Sequence, residues 1–357
     1  MGICQGTRSP SNKQQENKQN HPQEEKQKTE NLVPNQIDPI LLQQIEQLPI
    51  IFSLSFDKDG QNLILATERD LSIFKYQNGQ FQLQINKKEQ ATAIVLSKKV
   101  DWFAYSAHQE GLKCCIKKND NYWETSDAER YVGQYIFCLV LNNDENELIS
   151  AVEDYGIYFW NVNCLDNKIK QSNIRLLLNN ITTLCLNPSE NLLVSSTYSS
   201  IIMLWGKFEN NKWERMYDLE PPLKFNQARS ISFITDDTLV LQDYQIDYVY
   251  VYKLLDGIFV IAQTIESQNK YCKNTFMNVS GGFPKIYNKK RKLLYLRHQS
   301  QIKFFTQQNN NLLFQQIPDY IQFDDFKVYN LVMSDNGKFL AVCGFMDKML
   351  IYQLIMD

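Results

Sequence analysis

One pattern recurs from Ile51 to the end of the chain: an alternating apolar strand, a polar turn, a strand rich in small residues, a second turn, and a strand ending in aromatics. The clearest copy reads I-F-S-L-S-F from Ile51, then Asp57-Lys58-Asp59-Gly60, then N-L-I-L-A-T and L-S-I-F-K-Y. The last copy starts at Tyr329, turns at Asp335-Asn336-Gly337 and ends in M-L-I-Y-Q-L. Weaker copies start at Ala91, Tyr135, Ile181, Ala228 and Phe283. Their first strands end on Phe56, Leu96, Leu141, Leu186, Phe233, Tyr287 and Met333, at gaps of 40, 45, 45, 47, 54 and 46 residues. So short a unit cannot cover its own sheet and has to stack on its neighbours; about four strands per 40–45 residues is the signature of a propeller blade. Asp-Gly and Asn-Gly turns suit tight hairpins, because glycine accepts positive φ. The expected fold is all-β, a seven-bladed β-propeller over residues 37–357.

The third strands carry F-W-N at Phe159-Trp160-Asn161 and L-W-G at Leu204-Trp205-Gly206. Tyr or Phe fills the slot in Phe74-Lys75-Tyr76, Tyr250-Val251-Tyr252, Phe304-Phe305 and Ile351-Tyr352. On these residues the repeat resembles the WD40 family. The resemblance implies a ring-shaped platform that binds other proteins and no small-molecule substrate. The chain departs from the family in having no Gly-His pair in any repeat and no Trp followed by Asp. The Asp–His–Ser–Trp hydrogen-bond network of the family is therefore expected to be mostly absent, leaving apolar packing to hold the blades.

The last copy stops after its third strand. The segment Ile40–Gln47 is similar to the fourth strand L-L-F-Q-Q-I-P-D at Leu312–Asp319. Residues 40–47 are thus expected to be the outer strand of the last blade, closing the ring; an amphipathic helix is the alternative, since Leu, Gln and Glu favour it. Before them, residues 1–36 are read as a disordered tail, dominated by Gln, Asn, Lys and Glu and too polar to offset chain entropy. The tail opens Met1-Gly2-Ile3-Cys4-Gln5-Gly6-Thr7, similar to an N-myristoylation signal with Gly6 where Ser or Thr is preferred. Gly2 is the expected acceptor of myristate and Cys4 of palmitate, since one acyl chain alone gives only marginal membrane binding. The expected location is the cytoplasmic face of a membrane.

In such a fold the turns after first and third strands share one face, here the bottom, and those after second strands share the top. A chain entering through an outer strand enters at the bottom. A basic turn, Lys289-Lys290-Arg291-Lys292, lies on that face with Lys98-Lys99, and is the candidate contact for anionic lipid headgroups. Acidic turns at Asp144-Glu145 and Asp236-Asp237 share the face and are expected to oppose docking. The top collects Glu68, Asp70, Glu110, Glu153, Asp154, Asp243, Asp247 and Asp347, with Tyr155, Tyr244 and Phe345 among them, against Arg69, Arg297 and Lys348. An acidic rim with aromatics suits a basic peptide or loop of a partner protein.

Catalytic motifs are not found. The three histidines, His21, His108 and His298, lie far apart in sequence, and no H-E-x-x-H, G-x-S-x-G or G-x-x-x-x-G-K occurs. Asp57-Lys58-Asp59-Gly60 lacks the closing Glu of a calcium loop and is read as a hairpin turn. The eight cysteines form no C-x-x-C pair and are read as free thiols, so no metal or cofactor is expected. A net charge of −3 gives no field that would favour nucleic acid. The reading is a non-enzymatic scaffold; the alternatives are a propeller hydrolase with its site over the central channel, and a WD40 subunit of a cytoskeletal or trafficking complex.

Overall fold

The computed structural model describes residues 34–119, 122–130, 135–175, 181–197, 201–209, 212–219, 228–243, 248–266, 286–298, 301–307, 313–323, 328–344 and 348–357. The described residues belong to one compact unit; of the tail expected over residues 1–36, residues 1–33 lie outside the described residues. Every described element of length is a strand, and the strands form seven four-stranded antiparallel sheets.

Blade 1 contains β2 (Ile51–Phe56), β3 (Asn62–Thr67), β4 (Leu71–Gln77) and β5 (Gln80–Lys87), preceded in the chain by β1 (Ile37–Ile45). Blade 2 contains β6 (Ala91–Leu96), β7 (Trp102–Ala107), β8 (Gly111–Asn119) and the four-residue β9 (Tyr122–Thr125). Blade 3 contains β10 (Ile136–Leu141), β11 (Glu147–Val152), β12 (Gly156–Asn163) and β13 (Lys168–Arg175). Blade 4 contains β14 (Ile181–Leu186), β15 (Leu192–Thr197), β16 (Ile202–Lys207) and β17 (Trp213–Leu219). Blade 5 contains β18 (Ala228–Thr235), β19 (Thr238–Asp243), β20 (Tyr248–Leu255) and β21 (Ile258–Glu266). Blade 6 contains β22 (Tyr287–Asn288), β23 (Leu293–His298), β24 (Gln301–Gln307) and β25 (Phe314–Gln322). Blade 7 contains β26 (Val328–Met333), β27 (Phe339–Gly344) and β28 (Lys348–Met356), and takes β1 as its outer strand.

The outer strand of the last blade therefore spans Ile37–Ile45 and not 40–47. Its antiparallel register runs from Ile37 opposite Met356 to Ile45 opposite Met349, with a bulge between Leu41 and Gln43. Ile37 is buried, and its amide donates to Asp319 Oδ2 of blade 6 at 3.0 Å. That contact is why the strand starts earlier than its Leu-Gln pattern indicates. The inner strands of blades 7 and 1, β26 and β2, lie side by side, closing the ring.

Each buried apolar cluster straddles one blade junction, so the core is a ring of seven interfaces. Tyr329 and Phe339 of blade 7 meet Phe74 of blade 1. Ile64 and Ile73 of blade 1 meet Phe103 and Tyr105 of blade 2. Trp102 and Cys114 of blade 2 meet Trp160 of blade 3. Phe159 of blade 3 meets Trp205 of blade 4, Leu204 of blade 4 meets Tyr252 of blade 5, and Val251 of blade 5 meets Phe305 of blade 6. Phe304 of blade 6 meets Tyr352 of blade 7. Period-2 alternation produces this: the two faces of each sheet serve different neighbours.

Strand register identifies equivalent slots. The position paired with Leu148 on β11 is Trp160 on β12, and its counterparts are Phe74, Trp205, Tyr252, Phe305 and Tyr352. In blades 3 and 4 the indole N–H donates to a second-strand serine, Trp160 to Ser150 and Trp205 to Ser195, each at 2.9 Å. Part of the polar network expected to be lost thus persists. In blade 2 the slot holds Cys115, and the bulk moves across the sheet to Tyr105, which stands in the serine position. A large–small pair becomes a small–large pair, so the volume at the junction is kept.

Side chains also tie the outer rim. Gln43 of β1 donates to Phe81 O at 2.9 Å and accepts from Phe81 N at 2.7 Å, joining blade 7 to blade 1. Gln263 makes the same two-bond clamp on Phe314 between blades 5 and 6, at 3.0 and 2.9 Å. Tyr217 does so with one hydroxyl between blades 4 and 5, donating to Gly257 O and accepting from Phe259 N.

Candidate functional site

On the top face, the described candidates divide into residues the fold consumes and residues it presents. Asp70 belongs to the first group. It is 5% exposed, accepts from Thr67 Oγ1 at 3.0 Å and Ser72 Oγ at 3.3 Å, and lies 3.6 Å from Lys88 Nζ. It pins the turn between β3 and β4 and does not stand on the rim as a recognition acid. Glu68 pairs with Arg69 at 3.4 Å, and Glu110 bonds Lys113. Lys113 also bonds Glu89, which accepts from Tyr105 Oη at 2.8 Å and lies 2.5 Å from Lys87 Nζ. Burial pushes the Glu89 carboxyl up, and the bonds from Lys113, Lys87 and Tyr105 outweigh it, so it titrates below the ordinary range. Sequence reading missed Glu89, whose position in the connection between blades 1 and 2 shows no pattern until the register is known.

The presented group sits at the junction of blades 2 and 3. Glu153, Asp154 and Tyr155 form the turn between β11 and β12, with Asp154 and Tyr155 exposed. His108, in the equivalent turn of blade 2, stacks on Tyr135 with ring centroids 4.6 Å apart. Burial, and then the charge of Asp154, pushes the Glu153 carboxyl up, against the pull of His108. Two aromatics and two acids on one edge fit a cationic side chain of a partner. Asp243 is placed only as the last residue of β19, while Tyr244, Asp247, Phe345 and Asp347 lie outside the described residues. Of the expected rim acids, Glu68, Glu110, Glu153 and Asp154 are described and not buried.

On the bottom face, the turns between first and second strands interlock. Glu145 is buried, accepts from Ser97 Oγ at 2.5 Å and Lys98 N at 2.6 Å, and so joins blade 3 to blade 2. Glu190 accepts from Asn143 N, and Asp236 accepts from Asn187 Nδ2, Ser189 N and Ser189 Oγ at 2.6–2.8 Å. Asn336 donates to Asp59 O at 3.1 Å, joining blade 7 to blade 1. The acids expected to oppose docking are therefore partly engaged with neighbouring turns. Arg291 is likewise engaged: its Nε donates to Asn336 O at 3.0 Å, and its stem lies so close over Gly337 that a Cβ there would stand 2.7 Å from Arg291 Cγ. Lys289, Lys290 and Lys292 remain exposed on the same turn. The chain enters on this face, where Asn35 N donates to Asp357 O at 3.2 Å. Gly2 and Cys4 lie outside the described residues.

No group of three or more metal-ligating side chains occurs among the described residues. No described helix is long and apolar enough to cross a membrane. Cys114, Cys115, Cys164, Cys185 and Cys343 are buried and Cys138 is partly buried, all as free thiols; burial pushes Cys115 and Cys138 up to about 11. Such thiols are poor nucleophiles at neutral pH.

Compared with known families, residues 175–206 match the model of the WD domain, G-beta repeat. The match covers the first three strands of blade 4, where the Trp205–Ser195 bond is kept. No curated protein matches the chain. The seven stacked sheets make the described residues a seven-bladed β-propeller, and one of its repeats, in blade 4, is similar to the WD domain, G-beta repeat.

Proposed function

We propose that this WD40 propeller is a non-enzymatic protein-interaction scaffold, held at the cytoplasmic face of a membrane by acylation of Gly2 and Cys4. WD40 propellers commonly bind other proteins. The observation that carries the finer reading is the coincidence on one face of the chain entry at Asn35 and the exposed Lys289, Lys290 and Lys292. A myristoyl chain on Gly2 supplies marginal binding, and a second acyl chain on Cys4 or lysines close to anionic headgroups make it durable. The top face then points away from the membrane, presenting Glu153, Asp154 and Tyr155 to a basic partner segment.

Fractionation of cells expressing full-length wild type, Gly2→Ala and Cys4→Ser chains tests the tether. Wild type is expected with membranes, Gly2→Ala in the supernatant, and Cys4→Ser divided between them. Gly2→Ala that stays with membranes as wild type does would remove the acyl tether. Proximity labelling with the same proteins identifies the neighbours, which are expected to change when Gly2 is replaced.

A further inference from the structure

Large apolar side chains stand exposed on the hairpins between third and fourth strands. They are Tyr122 in blade 2, Leu165 in blade 3, Phe208 in blade 4, Leu255 and Ile258 in blade 5, and Leu313 in blade 6. Their exposures run from 50% for Leu313 to 73% for Leu165. Single exposed apolar residues scattered over a surface are ordinary. These are placed regularly: five consecutive blades present one at the same hairpin, whereas the Gln77–Gln80 hairpin of blade 1 is polar. Among the described residues, the turns between first and second strands carry none, and those between second and third strands carry only Tyr155. Burial falls on the neighbours of these tips. Phe259 and Phe314, directly after Ile258 and Leu313, are buried, and Trp213 at the end of the blade 4 hairpin stacks on Phe159 of blade 3.

These hairpins all turn on the bottom face, at its outer edge. On the same face Asn35 brings the chain in and Lys289, Lys290 and Lys292 are exposed. An acid follows three of the tips: Asp166 after Leu165, Glu209 after Phe208 and Asp256 after Leu255, all exposed.

We propose that this apolar rim is a lipid-contact surface: the tips sink to the boundary between headgroups and acyl chains, and the ring stands on a bilayer through its bottom face. The inference rests on the membrane reading above and extends it from the tail to the propeller. Two arguments select lipid as the occupant. The tips stand one blade apart around the ring, with polar turns inside them. A protein groove would meet one or two of them, while a flat fluid surface meets all of them at once. The chain preceding Asn35, which carries the proposed acyl acceptors Gly2 and Cys4, also leaves from this face. Interfacial binding grows with the apolar area buried in the boundary layer. Asp166, Glu209 and Asp256 keep the insertion shallow and give the rim no preference for anionic lipid, which separates its effect from that of the lysines.

Co-sedimentation of the full-length Gly2→Ala, Cys4→Ser chain with phosphatidylcholine vesicles tests this. That chain has no acyl acceptor and that lipid no net charge, so the rim is read apart from both the tether and the lysines. The chain is expected to bind at high lipid concentration only. Leu165→Gln and Phe208→Gln, added to it singly, are each expected to weaken partitioning roughly 5-fold. Leu83→Gln on β5 and Tyr155→Gln on the top face are expected to bind as the parent chain does. All four sites are exposed, and unchanged circular dichroism establishes that each variant is folded. Fluorescence supplies a second reading: Phe208→Trp is expected to be quenched by lipid brominated near the top of its acyl chains, and Tyr155→Trp to gain no quenching. A parent chain that stays in the supernatant at every lipid concentration, binding untouched by both rim substitutions, or a Phe208→Trp chain that is not quenched would overturn the proposal. So would tips that join two copies of the chain in sedimentation velocity and bind no vesicles. Fractionation of Gly2→Ala in cells reads the tether separately, so loss of one reading leaves the other standing.

Discussion

At the scale of single residues, the network around Glu89 shows how a degenerate repeat keeps its blades together. Tyr105 fills the position that serine occupies in blades 3 and 4, and its hydroxyl then needs a partner. Glu89 supplies it and also gathers Lys87 and Lys113. Removing one member of this partly buried ionic group leaves the charges of the others unmatched, which lowers stability. Because the folded carboxyl titrates below its ordinary value, its contribution is fully present above the unfolded pKa of about 4.3 and is lost as pH falls through the lowered folded value. Glu89→Gln is therefore expected to lower stability at pH 7 while flattening the acid side of the stability curve. Urea unfolding of wild type and variant at pH 7 and pH 4 reads both effects. Equal losses of stability on acidification in the two proteins would show that Glu89 is not the group responsible.

At the scale of elements, the strands were legible because alternation and turn chemistry are local. Asp57–Gly60 and Asp335–Gly337 mark hairpins, and Gly60 and Gly337 have φ of 69° and 74°. What depends on register was not legible. Ser150 and Ser195 look like any small strand residues until the pairing sets them ten positions before Trp160 and Trp205. Asp70 and Glu145 look like solvent-facing turn acids, yet both are buried, Asp70 against Thr67 and Ser72 of its own turn and Glu145 against Ser97 of the neighbouring blade. β1 lies between these cases, since its likeness to another outer strand was readable and its true start at Ile37 was not. The bonds of β1 give it a definite cost of removal. Gln43→Ala loses both hydrogen bonds to Phe81 and is expected to lower stability by about 1–2 kcal/mol. Deleting residues 1–46 takes away the whole strand, bares the edge of β28 and is expected to lower Tm much further. A peptide of residues 35–46 added in trans is expected to recover part of that loss. Calorimetry of the three samples decides it, and an undiminished Tm in both variants would mean that β1 does not close the ring.

At the scale of the molecule, the bottom face is set by which charges the ring has already used. Glu145, Glu190 and Asp236 reach across to adjacent turns, and Arg291 is held against Asn336. The lysines at 289, 290 and 292 keep their exposure, so the balance offered to an approaching surface is more positive than the sequence of the turns indicates. A lysine near an anionic bilayer is worth about 1 kcal/mol, so, in a chain acylated as proposed, converting all three to glutamine is expected to weaken partitioning onto anionic vesicles roughly 100-fold. Neutral vesicles, which the lysines do not favour, are expected to bind both proteins alike. The difference is also expected to shrink with added salt, because screening shortens the reach of surface charge. Co-sedimentation with vesicles of the two compositions measures all three effects. Equal binding of wild type and triple variant to anionic vesicles would mean that this turn does not face the bilayer, and the orientation of the ring would then have to be set by the acyl chains alone.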